Sequence, residues 1–266
     1  MQSINYHDYD VFYKTSGNPE KPCIVCLHPA FGDHQTLNDQ LDTLSESYFL
    51  ISLDMLGHGL TQPTSTPDQI DVTIEHIRGI LDQYQIKTCH LMGVSLGSLI
   101  AQGFAKKYPQ YTLSVTVVGG YSIHKNNQSL KKAQNREIFS WLFLLVFNMN
   151  GFRKYIAKRS TYQPHAYKKF LKSALAFTRK SIVYLQGMGK LFEDSSDPVP
   201  YPLFLVYGDH DLPIALEHGR EWAQLEPNAE ISIINDAGHC ANMEQPQKFN
   251  QVYLQFLENL DLPLNR

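Results

Sequence analysis

A serine with glycine two residues away on each side, Gly93-Val94-Ser95-Leu96-Gly97, stands where an apolar run from Thr88 gives way to a segment of helical character. This spacing suits a sharp strand-to-helix turn. The flanking positions of such a turn have no room for side chains, and the serine hydroxyl is lifted clear of the backbone as a nucleophile. A nucleophilic serine needs a base to take its proton, and the base needs a carboxylate to orient it. Two later stretches offer these groups. Gly208-Asp209-His210-Asp211-Leu212-Pro213 follows an apolar run and carries two acids, and Asp236-Ala237-Gly238-His239-Cys240 follows the next apolar run and carries a histidine.

The elements that must position these residues can be read from periodicity. Residues 8–14 alternate polar and aromatic like an edge strand. The continuous apolar runs 23–27, 48–53, 88–94, 113–118, 201–207 and 230–234 read as strands buried on both faces. Helical patterns fall at 36–47, 71–83, 96–107, 214–225 and 247–260. Strands alternating with helices predict an α/β fold with a mostly parallel, doubly wound sheet, which collects ligands at the C-terminal ends of its strands. Ser95, the 208–213 loop and the 236–240 loop all leave from that edge. From residue 121 the alternation is lost in favour of aromatic and basic helical stretches around 138–147, 152–159 and 165–191. The domains expected are therefore a core over 1–120, a helical lid over 121–197, and the rest of the core over 198–266.

Composition removes several classes of function. With 43% apolar and 18% charged residues among 266, the chain is globular. A net charge of −3 and a pI near 6.4 argue against general nucleic-acid binding. The N-terminus lacks a basic and then apolar leader, and the longest apolar run, 141–147, is far short of the roughly 20 residues that cross a bilayer. A cytoplasmic protein without a transmembrane segment is expected. Cys23, Cys26, Cys89 and Cys240 read as small buried residues of a reducing compartment. The C-x-x-C pair lies in a strand, where residues three apart face opposite ways, and no second pair completes a zinc site. No metal cluster and no phosphate-binding glycine loop is expected, so no cofactor is called for. His28, His58 and His90 read as structural, and His210 as a variable neighbour of the acids.

Together, Gly93 to Gly97, Gly208 to Asp211 with Pro213, Gly238-His239 followed by Asn242, Glu244 and Pro246, and Asp54-Met55-Leu56-Gly57-His58-Gly59 resemble the α/β-hydrolase superfamily, in particular its small capped serine hydrolases of carboxylesterase type. The likeness covers about residues 8–121 and 198–262. It implies an α/β-hydrolase fold with a helical cap inserted after the sixth strand, and a Ser95–His239–Asp211 triad, with Asp209 as the competing acid. It also implies an oxyanion hole from the Leu96 and Ala30 N–H groups. Pro29 departs from the family's His-Gly pattern and has no N–H to give, which shifts the second donor to Ala30, with Phe31 behind it. The implied activity is hydrolysis of a carboxylic ester or thioester of a small to medium apolar acyl group through an acyl-Ser95 intermediate. Carbon–carbon, lactone, amide or perhydrolase chemistry on the same triad, and a non-catalytic ligand-binding protein on the same scaffold, are the rivals. Serine at the elbow disfavours the family's dehalogenases and epoxide hydrolases, which use aspartate there.

Residues 121–196 hold 14 Lys/Arg against 3 Asp/Glu, a balance of +11, while the rest holds 9 against 23, a balance of −14. A basic lid over an acidic body complements that body, draws an anionic substrate, or meets a negatively charged membrane. The partner expected is a small ester, with Phe31, Tyr121 and Trp141 as its contacts. Oligomeric state is left open.

Overall fold

The computed structural model describes residues 1–125, 143–195 and 197–261. Eight strands form one sheet in the order β1-β2-β4-β3-β5-β6-β7-β8. They are β1 (Gln2–Tyr6), β2 (Tyr9–Ser16), β3 (Cys23–Leu27), β4 (Phe49–Leu53), β5 (Cys89–Val94), β6 (Thr112–Val118), β7 (Leu203–Gly208) and β8 (Ala229–Ile234). From β4 to β8 the strands run parallel, and β1 and β2 are antiparallel at one edge. Every residue of β3, β4, β5 and β7 is buried, because helices cover both faces of the sheet. The α/β, mostly parallel, doubly wound sheet expected from the sequence is the one observed.

Three expectations need correction. Residues 8–14 do not form the edge, since β2 pairs with β4 on one side and with β1 on the other. β1 gives a weak apolar signal because all five of its residues are at least partly exposed. The helix expected over 36–47 is a 3₁₀ turn, His34–Leu37, followed by the helix Asn38–Leu44. Asp33 caps that turn by accepting the Gln35 N–H at 2.9 Å. The single helix expected over 165–191 breaks into Pro164–Ser173, a 3₁₀ turn at Ala174–Ala176, and a 3₁₀ helix at Lys180–Leu191. Arg153 holds the broken stretch, its guanidinium donating to the carbonyls of Ala174, Leu175 and Phe177 at 2.9–3.1 Å. The Ala174 carbonyl also accepts the Phe177 N–H at 3.2 Å, which closes the 3₁₀ turn.

Between β6 and β7 the chain departs from the sheet into helices, among them Met149–Ser160 and Pro164–Ser173. Two buried polar side chains of the body hold this insertion. Gln102, from the helix Leu96–Lys107, donates to the Tyr121 carbonyl at 2.9 Å and accepts the Ile123 N–H at 3.1 Å. Glu244 accepts the N–H groups of Tyr162 and Gln163 at 2.7 and 2.8 Å. No helix of the described residues is long and apolar enough to cross a membrane.

Candidate active site

Ser95 sits between β5 and the helix Leu96–Lys107, with φ 52° and ψ −115°. A non-glycine residue in that region costs about 1–3 kcal/mol, and the surrounding structure must impose it. The Ser95 N–H donates to Val118 of β6 at 2.8 Å, and its carbonyl accepts the Ser98 hydroxyl at 2.6 Å and the Ser98 N–H at 2.9 Å. From Cys89 to Ala105 every residue is buried except Ser95, which is partly exposed. Gly97 is required by close approach, since a Cβ there would run into the carbonyls of Leu27 and His28. The elbow thus packs directly on the end of β3, where the Pro29–Gly32 loop begins.

In that loop the Gly32 N–H donates to the Pro29 carbonyl at 3.2 Å, which makes Ala30 and Phe31 the central residues of a tight turn. Phe31 has φ 66°, a position that favours glycine. Its ring is held edge-on by Phe152 at 5.2 Å and Phe177 at 5.0 Å, both from the insertion. Ser173 of the insertion locks the same loop, accepting the Asp33 N–H at 2.7 Å and donating to the Asp33 carboxylate at 2.6 Å. The Leu96 N–H opens its helix, where no carbonyl one turn earlier exists to accept it. The positive end of the helix dipole lies there as well.

Asp211 and His239 meet after β7 and β8. His239 Nδ1 lies 3.1 and 3.3 Å from the two oxygens of the buried Asp211 carboxylate, one of which also accepts the Leu212 N–H at 2.7 Å. Asp209 instead accepts the Ala237 N–H at 3.1 Å and so steadies the histidine loop from beneath. Of the two acids left open by sequence, Asp211 is the one that reaches the imidazole. Val118, which holds Ser95, is followed by Gly119 at φ 59°. A Cβ there would collide with the His239 carbonyl and lie 2.9 Å from Nδ1. Ser95 and His239 therefore both adjoin the Val118-Gly119 turn.

Glu244 completes the support of His239, because its second oxygen accepts the Gly238 N–H at 3.0 Å while the first holds Tyr162 and Gln163. Burial raises its pKa, and the N–H groups that donate to it only partly offset this. The Cys240 N–H also reaches the Ser160 carbonyl at 3.2 Å. The insertion is thus tied to both the Pro29–Gly32 loop and the histidine loop. Sequence reading quoted Glu244 without a role and passed over Gln102, whose signal was a lone amide inside an otherwise apolar helix face.

The other histidines are structural, as expected. His28 accepts the Met55 N–H at Nε2 and faces the Pro29 carbonyl with Nδ1. His58 Nδ1 faces the Leu56 carbonyl at 3.0 Å, and burial, helped by His28, pushes its pKa down to about 3. His90 bonds the Ser114 hydroxyl at 2.8 Å, and His210 stacks on Tyr162 with ring centres 3.7 Å apart. Tyr121 stacks on Phe192 and borders a cleft with His218, Trp222 and Leu225 that Ser95 does not line. Trp141 lies outside the described residues. All four cysteines are free and buried, and no group of three or more His, Cys, Asp or Glu among the described residues could hold a metal.

A parallel sheet with an elbow serine at its carboxyl edge, beside a His–Asp pair on the following loops, has the architecture of an α/β hydrolase. The chain belongs to the alpha/beta hydrolase family, whose model matches residues 24–252. It is similar to monoacylglycerol lipase ABHD6 of Bos taurus, 22% identical over 279 residues that take in 98% of this chain and 82% of that protein. It is also similar to a 2-hydroxy-6-oxononadienedioate/2-hydroxy-6-oxononatrienedioate hydrolase of a Pseudomonas species, 22% identical over 79% of this chain and 77% of that one. Among solved structures, a thermophilic esterase from Thermogutta terrifontis superposes with a TM-score of 0.83 at 18% identity, covering 98% of this chain and all of that one. The enol-lactonase of Burkholderia xenovorans LB400 does so with a TM-score of 0.80 at 17% identity, over 97% and 100%. These relationships make the protein a hydrolase of that family.

Proposed function

We propose that the protein is a serine carboxylesterase that cleaves an ester or thioester of a small to medium apolar acyl group. The observation that carries this reading is the strained, partly exposed Ser95 at a strand end whose neighbouring turn also touches the Asp211-bound His239. Ser95 Oγ attacks the acyl carbonyl as His239 Nε2 takes its proton, and Asp211 holds Nδ1–H and stabilises the imidazolium. The Leu96 and Ala30 N–H groups receive the developing oxyanion. His239 then returns the proton to the leaving alcohol or thiol, and a water activated by the same imidazole releases the acid and restores Ser95. Residues 121–197 serve as the cap, and the partly exposed Phe31 ring, backed by the buried Phe152 and Phe177, supplies an apolar wall for the acyl chain. Phe31 is a substrate contact in this reading. Free buried cysteines suit a reducing, cytoplasmic setting.

Similarity to a 2-hydroxy-6-oxononadienedioate/2-hydroxy-6-oxononatrienedioate hydrolase and to an enol-lactonase favours a second reading, in which the same triad acts on a carbon–carbon bond or a lactone. The test is labelling with a fluorophosphonate read by intact mass, followed by initial rates on p-nitrophenyl esters of graded chain length, lactones and dienones. We expect stoichiometric labelling that Ser95→Ala abolishes, one chain-length optimum among the esters, and a loss of turnover by about 10⁴-fold or more in Ser95→Ala and His239→Ala. Either variant within tenfold of wild type overturns the assignment. No labelling of the wild type points to a binding protein on this scaffold.

A further inference from the structure

The insertion carries an exposed apolar face that the chemistry at Ser95 does not use. Phe143, Val146 and Phe147 follow one another at helical spacing. Their exposures are 67%, 50% and 70%, and the two phenyl rings touch with centres 4.8 Å apart. Among the described residues these are the only strongly exposed phenylalanines. Leu175 and Val183, at 57% and 50%, add to the exposed apolar surface of the same insertion. Two arginines stitch its segments together. Arg179 Nε donates to the Leu145 and Val146 carbonyls at 3.0 and 3.1 Å, and Arg153 donates to those of Ala174, Leu175 and Phe177. The backbone behind the exposed rings is therefore tied to the rest of the insertion.

Its charge selects the partner. Residues 143–192 contain ten Lys/Arg and no Asp or Glu. Lys169 and Lys190 pair with Asp39 and Asp71 of the body, at 2.6 and 3.3 Å. Lys154, Lys158, Lys168, Lys172 and Lys180 are exposed and make no ion pair among the described residues. Complementing the acidic body thus accounts for only part of the excess. A second copy seated on it by the same face would bring the same cations to the contact and be repelled by them. Large apolar side chains beside exposed lysines, with carboxylates absent, match the interface of an anionic bilayer, where rings enter the headgroup boundary and cations meet phosphate.

We infer that the Phe143–Phe147 turn and the surrounding cations of the insertion dock the protein peripherally on an anionic lipid surface. This goes beyond the hydrolase reading and does not depend on it. The test is co-sedimentation of the full chain with vesicles of phosphatidylcholine alone or mixed with phosphatidylglycerol, at low and high salt. Wild type is compared with Phe143→Ser/Phe147→Ser and with Lys154→Glu/Lys180→Glu, with circular dichroism melts and size-exclusion elution measured alongside. We expect binding to the anionic vesicles only, weakened about tenfold or more by either double variant and by salt, with folding and elution unchanged. Failure of wild type to bind at low salt overturns the inference, as does binding that folded Phe143→Ser/Phe147→Ser retains in full. An altered elution volume in that variant, without lipid binding by wild type, assigns the face to self-association instead. Labelling at Ser95 reads the catalytic proposal separately, so either idea can fail alone.

Discussion

Among the described residues, two partly buried histidines contact a buried aspartate, in pairs that look alike in isolation and differ in their surroundings. His239 Nδ1 lies 3.1 Å from Asp211, and His34 Nδ1 lies 2.9 Å from Asp54. Asp54 is saturated, because it also accepts the His34 and Leu60 backbone N–H groups at 2.9 and 2.8 Å. Burial tends to raise the Asp54 pKa, but the His34 bond and neighbouring imidazoles outweigh it and leave the pKa lowered. Burial likewise tends to lower His34, and Asp54 outweighs it, so His34 is raised. That pair pins the start of the His34–Leu37 turn to the 54–60 loop. The His239 pair instead adjoins a turn that also holds a strained serine. The same two residue types in contact pin a loop in one case and, in the function proposed above, orient a catalytic base in the other.

The largest expected effect that sharpens this contrast comes from Asp211→Asn, which should lower kcat by about 10²–10⁴-fold while the protein stays folded. Asp209→Asn should remain within tenfold, because Asp209 supports a backbone N–H and not the ring. Steady-state kinetics on the preferred ester separates the two, and equal losses would break the assignment of the acid. A smaller loss, about 10–100-fold in kcat, should follow Gly119→Ala, since the added methyl displaces His239 rather than removing it. Unchanged kinetics in that variant would show that His239 does not need its present position.

Smallest in activity is the effect of breaking the other pair. His34→Gln should keep kcat within tenfold and cost about 1.5–3 kcal/mol of stability, measured by urea unfolding. The pH dependence has a defined sign. Because folding raises the His34 pKa, its contribution is complete below 6.5 and is lost as pH rises through the raised folded value. Because folding lowers the Asp54 pKa, its contribution is present above 3.8 and is lost as pH falls through the depressed value. The stability gap between wild type and His34→Gln should therefore be widest from about pH 4 to 6.5 and narrow on the alkaline side. A gap that stays the same from about pH 5 to the alkaline side would mean that the pair carries no charge.

What could be read from the chain beforehand follows from how local each signal is. The elbow, the buried strands and the loops after β7 and β8 announce themselves in a few contiguous residues, since a turn or a strand buried on both faces constrains its own neighbours. β1 escaped because an exposed edge strand needs no apolar pattern. The break after Ser173 escaped because the side chain that holds it, Arg153, lies 20 residues earlier and acts through space. His34–Asp54, Gln102–Tyr121 and Glu244–Tyr162 escaped for the same reason, as each joins residues 19 to 82 positions apart. The choice between Asp209 and Asp211 lay between these extremes. The resemblance to the family favoured Asp211, and only the fold shows Asp209 engaged with Ala237.

Glu244 also limits how the protein can be rebuilt. Its carboxylate serves two masters, taking Tyr162 and Gln163 on one oxygen and Gly238 on the other. A chimaera that grafted a foreign segment in place of residues 121–197 would strand half of a buried carboxylate beside the histidine loop. Such a graft must bring its own pair of N–H groups to that point or exchange Glu244 in the same step, so the insertion and the sheet can be swapped only as a matched set.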